Sequence, residues 1–119
     1  MKGLLAFARK HGLGAGHLTG IGAISRAVIG YFDPLTKTYL RHQEIGQAEV
    51  LSLTGNLALH DNKPFFHVHV ALGERDGSSR GGHLFAATVR PTVELVLTAY
   101  PTPVRRKTDP ETGLPLLDP

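Results

Sequence analysis

Turn-forming residues interrupt this chain at short intervals, which favours short strands over long helices. The 119 residues include 14 Gly and 8 Pro, and breakers at 32–37, 61–64 and 73–79 separate runs rich in Val, Ile and Phe. The run 65–72 has the strongest strand signal, because β-branched and aromatic side chains fit a pleated surface. We therefore expect a sheet whose strands are joined mostly by hairpins.

A helical pattern occupies the start of the chain. In residues 1–11, Leu4, Leu5 and Ala8 recur at one-turn spacing, and Gly12 is typical of the position after a helix end. Six or seven short strands follow in this interpretation, drawn from 15–22, 23–31, 38–40, 49–59, 65–72, 82–89 and 92–99. The predicted fold class is α+β, with a mainly antiparallel sheet flanked by one N-terminal helix.

One short helix covers only part of such a sheet. A bare apolar face is commonly buried against a second copy of the same chain, so we expect a homo-oligomer. Residues 101–119 hold five of the eight prolines and show no buried-face pattern. We therefore predict a domain at 1–100 followed by a Pro-rich C-terminal tail at 101–119, forming an arm or a poorly ordered end.

Composition excludes several classes of protein. The chain has no Cys, which rules out disulfides, a zinc ribbon and thiol catalysis. It has no apolar run near the roughly 20 residues of a membrane helix and no secretory signal pattern, so we expect a cytoplasmic protein without membrane contact. The net charge of +3 permits nucleic-acid binding but does not argue for it, because phosphate binding needs a clustered basic face.

Histidines provide the clearest chemical signal, at seven in the whole chain. His67 and His69 are two apart in a strand, so their imidazoles share one face. His83 would lie opposite His69, on that face, if the two segments form a hairpin with an odd-numbered loop. An even-numbered loop, or a bulge at Gly81-Gly82, would place His83 differently. Geometry therefore allows a three-His site without compelling it.

Three neutral imidazoles with an open fourth position suit Zn²⁺ and, less selectively, other late first-row divalent ions. The alternative is that these histidines are ordinary polar residues on a solvent-facing strand. Catalysis at such a site would also need an acid or base nearby, for which Glu74 and Asp76 are the candidates. A metal-dependent enzyme acting on a small molecule thus stays open beside a binding role.

The chain resembles the plants-and-prokaryotes conserved (PPC) domain from the first helix to about Tyr100. The motifs that carry the resemblance are 20–25 (GIGAIS) leading into 30–33 (GYFD), 49–56 (EVLSLTGN), 67–73 (HVHVALG) and 77–84 (GSSRGGHL). The resemblance implies a homotrimer whose sheet is flanked by a helix, with His67, His69 and His83 as metal ligands. It also implies binding and assembly rather than catalysis, since the plant members mediate partner contacts in nuclear proteins with AT-hooks.

Three features depart from that family. The chain starts at the helix, where members usually begin with a strand, and it lacks an Arg-Gly-Arg-Pro hook for the minor groove. Gln47 and Ala48 replace the Arg and Phe of the plant motif. Any DNA contact would therefore depend strongly on salt and involve the basic run Arg105, Arg106 and Lys107, which is otherwise a solvated end.

A rival resemblance is to the first cupin motif, a metal site in a β-barrel. His67, His69, Glu74 and Gly81 have its spacing, and cupins often use such His and Glu groups for enzymatic work. However, Asp61 stands where the motif begins with Gly, and the second cupin motif is absent. The resemblance to the PPC domain therefore covers more of the chain than the resemblance to the cupin motif.

Overall fold

The computed structural model describes residues 1–118, apart from the side chains of residues 42–45. One helix and six strands follow in order: α1 (Lys2–Lys10), β1 (Gly16–Asp33), β2 (Thr38–His60), β3 (Lys63–Gly73), β4 (Ser79–Ala99), β5 (Arg105–Thr108) and β6 (Pro115–Asp118). The predicted α+β class, with one N-terminal helix and six or seven strands, is confirmed. No helix in the described part of the chain is long and apolar enough to cross a membrane.

The strands form one sheet in the order β1-β4-β3-β2-β5-β6, in which β1 also pairs with β2. The first four strands therefore close on themselves through antiparallel ladders. β5 extends this sheet by a short parallel pairing with the end of β2, and β6 pairs antiparallel with β5. The expectation of a mainly antiparallel sheet is thus correct.

Three strands are longer than the sequence indicated, and one of them, β2, covers the segments 38–40 and 49–59 in a single strand. β1 covers the segments 15–22 and 23–31 in one strand, with register shifts where we expected a break. β4 likewise joins 82–89 and 92–99 in one strand. Its pairing with β1 is irregular between them, since Val89 pairs with Ile24 and the next paired residue of β4 is Val93, opposite Gly22. Pro91 lies in this irregular part, where its missing N–H removes no ladder hydrogen bond, so the strand continues past it.

The core lies on the inner side of the closed sheet. Leu18, Ile24, Leu57 and Val68 are almost completely buried there, and α1 contributes the fully buried Ala8. Because side chains alternate along β3, burying Val68 and its neighbours of the same parity turns His67 and His69 to the opposite side. The core thereby determines which side of the sheet carries the imidazoles.

The tail at 101–119 contains the short strands β5 and β6, and it packs against the end of β2. We expected an arm or a poorly ordered end without a buried face. The sequence shows no apolar alternation in β5, because the residue at its buried position is Arg106. The division into a domain at 1–100 and a tail at 101–119 stays a prediction.

Gly82 allows β4 to pass close to β1 beside His83. It has a φ of +154°, and a Cβ there would lie 2.6 Å from the backbone oxygen of Gly30. We predict that Gly82→Ala lowers the free energy of unfolding by about 2 kcal/mol, measured by urea denaturation. The matched control is Gly3→Ala in α1, where a Cβ meets nothing within 4 Å. That variant is expected to be neutral or slightly stabilising, because Ala is the better helix former.

Candidate metal centre

The three histidines lie where two neighbouring strands separate. The β3–β4 ladder runs from Gly73 opposite Ser79 to His69 opposite His83, without a register shift. The loop at 74–78 has an odd number of residues, so the condition that places His83 opposite His69 is met. Past this point β4 continues beside β1, whereas β3 continues beside β2 and carries His67.

The imidazoles are close enough to share one ion. One ring nitrogen from each of His67, His69 and His83 lies within 4.8 Å of the other two. The Nε2 atoms of His67 and His69 are 3.2 Å apart. A tetrahedral zinc ion with Zn–N bonds of about 2.0–2.1 Å needs nitrogens about 3.4 Å apart. The observed separations therefore span the spacing that one shared ion needs.

Burial favours the neutral form of two of these rings. Desolvation, followed by the neighbouring His67 and His69, lowers the pKa of His83 to about 4. The pKa of His67 is also lowered, first by burial and then by His69 and Arg106. His83 Nδ1 is buried and has no hydrogen-bond partner among the described residues. Neutral imidazoles with bare nitrogens are the form that binds divalent metals, so the donor set fits such an ion.

Two aromatic rings pack against the imidazole of His83. The ring centroids of Tyr39 and Phe85 lie 5.1 and 4.7 Å from that of His83. Gly30 leaves room for them, since a Cβ there would lie 2.6 Å from the Phe85 ring and 3.3 Å from Tyr39. The sequence could predict the contact between Phe85 and His83, because the two residues are two apart on one strand and share a face. The sequence could not predict the contact of Tyr39 with His83, because Tyr39 lies beside the turn of the β1–β2 hairpin and is distant from His83 in the sequence.

Arg106 approaches the centre from the tail. Its side chain is only 8% exposed, and it donates hydrogen bonds to the Pro115 carbonyl oxygen at 2.5 Å and to Asn56 Oδ1. Its guanidinium also lies 5.1 Å from the centre of the Phe65 ring. Asn56 is the direct cross-strand neighbour of His67. A buried positive charge therefore lies beside the histidines.

The basic run of the tail is thus divided by the alternation of β5. Arg105 and Lys107 are exposed, and Arg105 donates to Asn62 Oδ1 at 2.7 Å. Arg106 is inside, so it does not belong to a solvated basic end as the sequence suggested. Contact of Arg105, Arg106 and Lys107 with DNA stays a prediction.

The acidic residues of the β3–β4 loop are engaged elsewhere. Glu74 forms an ion pair with Arg80, with 2.6 Å between Oε1 and Nε. Asp76 accepts hydrogen bonds from the backbone N–H and the hydroxyl of Ser78. Among the described side chains, the cluster of metal-binding type contains His67, His69 and His83 and no carboxylate. The combined His and Glu ligand set of a cupin is therefore not assembled there.

Fold, motifs and cluster agree with one family. Residues 1–101 match the Plants and Prokaryotes Conserved (PCC) domain, the family abbreviated PPC above. The match covers most of the chain and includes all three histidines of the cluster. The chain belongs to this family, and the resemblance predicted from its motifs is confirmed.

Similar proteins of known structure include one from Archaeoglobus fulgidus described as a metal-containing protein. It is 40% identical, with a TM-score of 0.90 over 99% of this chain and 84% of that one. A Bacteroides thetaiotaomicron protein, described as a "putative dna binding protein", is 33% identical with a TM-score of 0.95 over 98% and 82% of the two chains. The chain is also 33% identical to part of bifunctional protein GlmU from a Synechococcus strain, covering 90% of this chain but 16% of that protein.

Proposed function

We propose that this chain is a cytoplasmic binding and assembly module that holds one divalent ion, zinc, in each subunit of a homotrimer. The observation that carries the proposal is the convergence of His67, His69 and His83 at the separation of β3 and β4. The cluster has three nitrogen donors and no carboxylate among the described residues, a set that suits zinc better than magnesium or calcium. The metal-containing relative from Archaeoglobus fulgidus supports the same role.

The proposed assembly rests on an apolar groove between α1 and the second half of β4. The groove has a volume of about 870 Å³, and its walls include Phe7, Val89, Val93, Leu95 and Leu97. Phe7, Val89 and Leu95 are exposed in the single chain. A contiguous exposed apolar surface is typical of a protein interface, and a second copy of the chain is the occupant we propose.

The proposal is tested by measuring metal content and mass together. Untagged protein purified without chelators is expected to contain one zinc ion per chain by elemental analysis, with a light-scattering mass of three chains. Metal-free protein that also fails to bind added Zn²⁺ would contradict the metal site. A monomer at micromolar concentration would contradict the assembly while leaving the metal site in place.

A metal-dependent enzyme remains the alternative use of the same centre. Such an enzyme needs an acid or base close to a reacting group at the open metal position. Glu74, the carboxylate that sequence spacing offered for this role, is instead paired with Arg80. This contact favours binding over catalysis.

DNA binding is a second candidate, favoured by the described role of the Bacteroides relative. We propose that Arg105 and Lys107 supply the phosphate contacts, because both are exposed on β5. Two contacts from each subunit that touches DNA predict a slope of about −2 per such subunit for the logarithm of affinity against the logarithm of salt concentration. Gel-shift titration at several salt concentrations measures this slope. Binding unchanged in a double Arg105→Gln, Lys107→Gln variant would rule out these contacts.

A further inference from the structure

We infer that the metal centre receives a small carboxylate with an aromatic ring, bound in the cavity beside His83. The inference rests on the proposed metal site and goes beyond it by naming the chemical class of the fourth ligand. Three features of the described residues carry it: a cavity, an open coordination position and an excess of positive charge.

The cavity exists because β3 and β4 separate after the His69–His83 pair. It has a volume of about 400 Å³, within the range of small-molecule sites. Its walls include Tyr39, Phe65, Phe85 and Pro115, with His83 at one side. Aromatic rings pack well against other rings in offset or edge-to-face contact, so these walls favour a planar ring.

His83 connects the cavity to the metal centre, since it lines the one and belongs to the other. Three protein ligands leave one position of a tetrahedral ion for an exogenous donor. A ligand that places its ring against Phe85 and Tyr39 can direct a donor atom to that position. An oxygen donor of a carboxylate is a common zinc ligand.

Charge around the centre selects an anion. The described ligand cluster contains no carboxylate, so an ion with three neutral imidazoles keeps its full charge of about +2. Arg106 adds a buried guanidinium whose Nε has no hydrogen-bond partner within the described part of the chain. The guanidinium of the exposed Arg41 lies 4.4 Å from the centre of the ring of Phe85, a residue of the cavity wall. A carboxylate offsets this charge, whereas a neutral ligand leaves it uncompensated.

The test uses Co²⁺ in place of zinc, because its visible absorption reports the ligands of the ion directly. Co²⁺-loaded protein is titrated with benzoate, with benzyl alcohol as the neutral analogue and inorganic phosphate as the anion without a ring. We expect a saturable spectral change with benzoate, at least about 10-fold weaker binding of phosphate, and no change with benzyl alcohol.

Cavity variants separate specific binding from simple anion binding. Phe85→Leu and Tyr39→Leu are each expected to weaken benzoate binding at least 5-fold while keeping one Co²⁺ per chain. Leu35→Ala, at an exposed position of the β1–β2 turn, is the control with unchanged affinity. Two variants are used so that a folding defect in one leaves the other informative.

The outcomes are distinguishable. Protein that binds no Co²⁺ or Zn²⁺ refutes the proposed metal site and this inference with it. Protein that binds Co²⁺ but shows no spectral response to benzoate overturns the inference alone. A response equal for phosphate and benzoate, unaffected in both cavity variants, also overturns it, because the site would then recognise charge without the ring.

Discussion

Replacing His67 by alanine is expected to reduce zinc affinity more than about 100-fold, since loss of outer-shell partners alone costs 10–100-fold. The variant leaves only His69 and His83 of the described cluster. Two imidazoles hold a divalent ion too weakly to survive purification. We therefore expect less than one tenth of the wild-type zinc content by elemental analysis, and a matching loss of affinity in competition with a chromophoric chelator.

Thermal unfolding gives an independent measurement of the same change. Zinc at 100 times its dissociation constant should stabilise the wild type by about 2.7 kcal/mol, because it binds the folded chain. His67→Ala should lose this zinc-dependent stabilisation and keep its metal-free stability. His11→Ala is the control, since His11 is an exposed histidine at the end of α1 and does not belong to the three-His cluster. Stoichiometric zinc in His67→Ala would contradict the assignment of the centre.

The sequence could predict those parts of the centre that depend on strand alternation. Alternation has a period of two residues and needs no long-range information, so His67 and His69 could be placed on one side and Val68 on the other. The position of His83 required only the parity of a short loop. The structure meets that condition with a regular ladder from His69 to Gly73. Whether this group binds a metal is a separate question, which the variants above address.

Other parts of the centre come from distant segments and left no local signal. Tyr39 reaches His83 because β1 and β2 form a long hairpin, and Gly30 leaves space for its ring. Arg106 reaches the centre because β5 pairs with the end of β2. A charged residue at a buried position conceals the strand, since the apolar pattern that would indicate one is missing. From the sequence alone, the tail is therefore interpreted as a basic, Pro-rich end and its two short strands are not predicted.

Replacing Leu95 by glutamate is expected to convert the proposed trimer into a monomer. Leu95 is 38% exposed in the single chain and forms part of the apolar groove beside α1. Burial of a leucine side chain contributes about 1.5–3 kcal/mol, and an unpaired carboxylate at the same position adds a desolvation cost. A total near 3 kcal/mol at each interface weakens association about 100-fold or more. Light scattering across a dilution series measures the change in mass.

The control must distinguish lost assembly from lost folding and from a general effect of charge. Leu35→Glu introduces the same charge at a position that is 92% exposed in the β1–β2 turn, outside the groove. We expect it to remain a trimer. Leu95→Glu should retain zinc and a cooperative thermal transition, because the described metal ligands all lie outside the groove walls. A trimer that survives Leu95→Glu would show that the groove is not the interface. Burying one unpaired carboxylate in each of three subunit contacts should destabilise the trimer too strongly for it to persist.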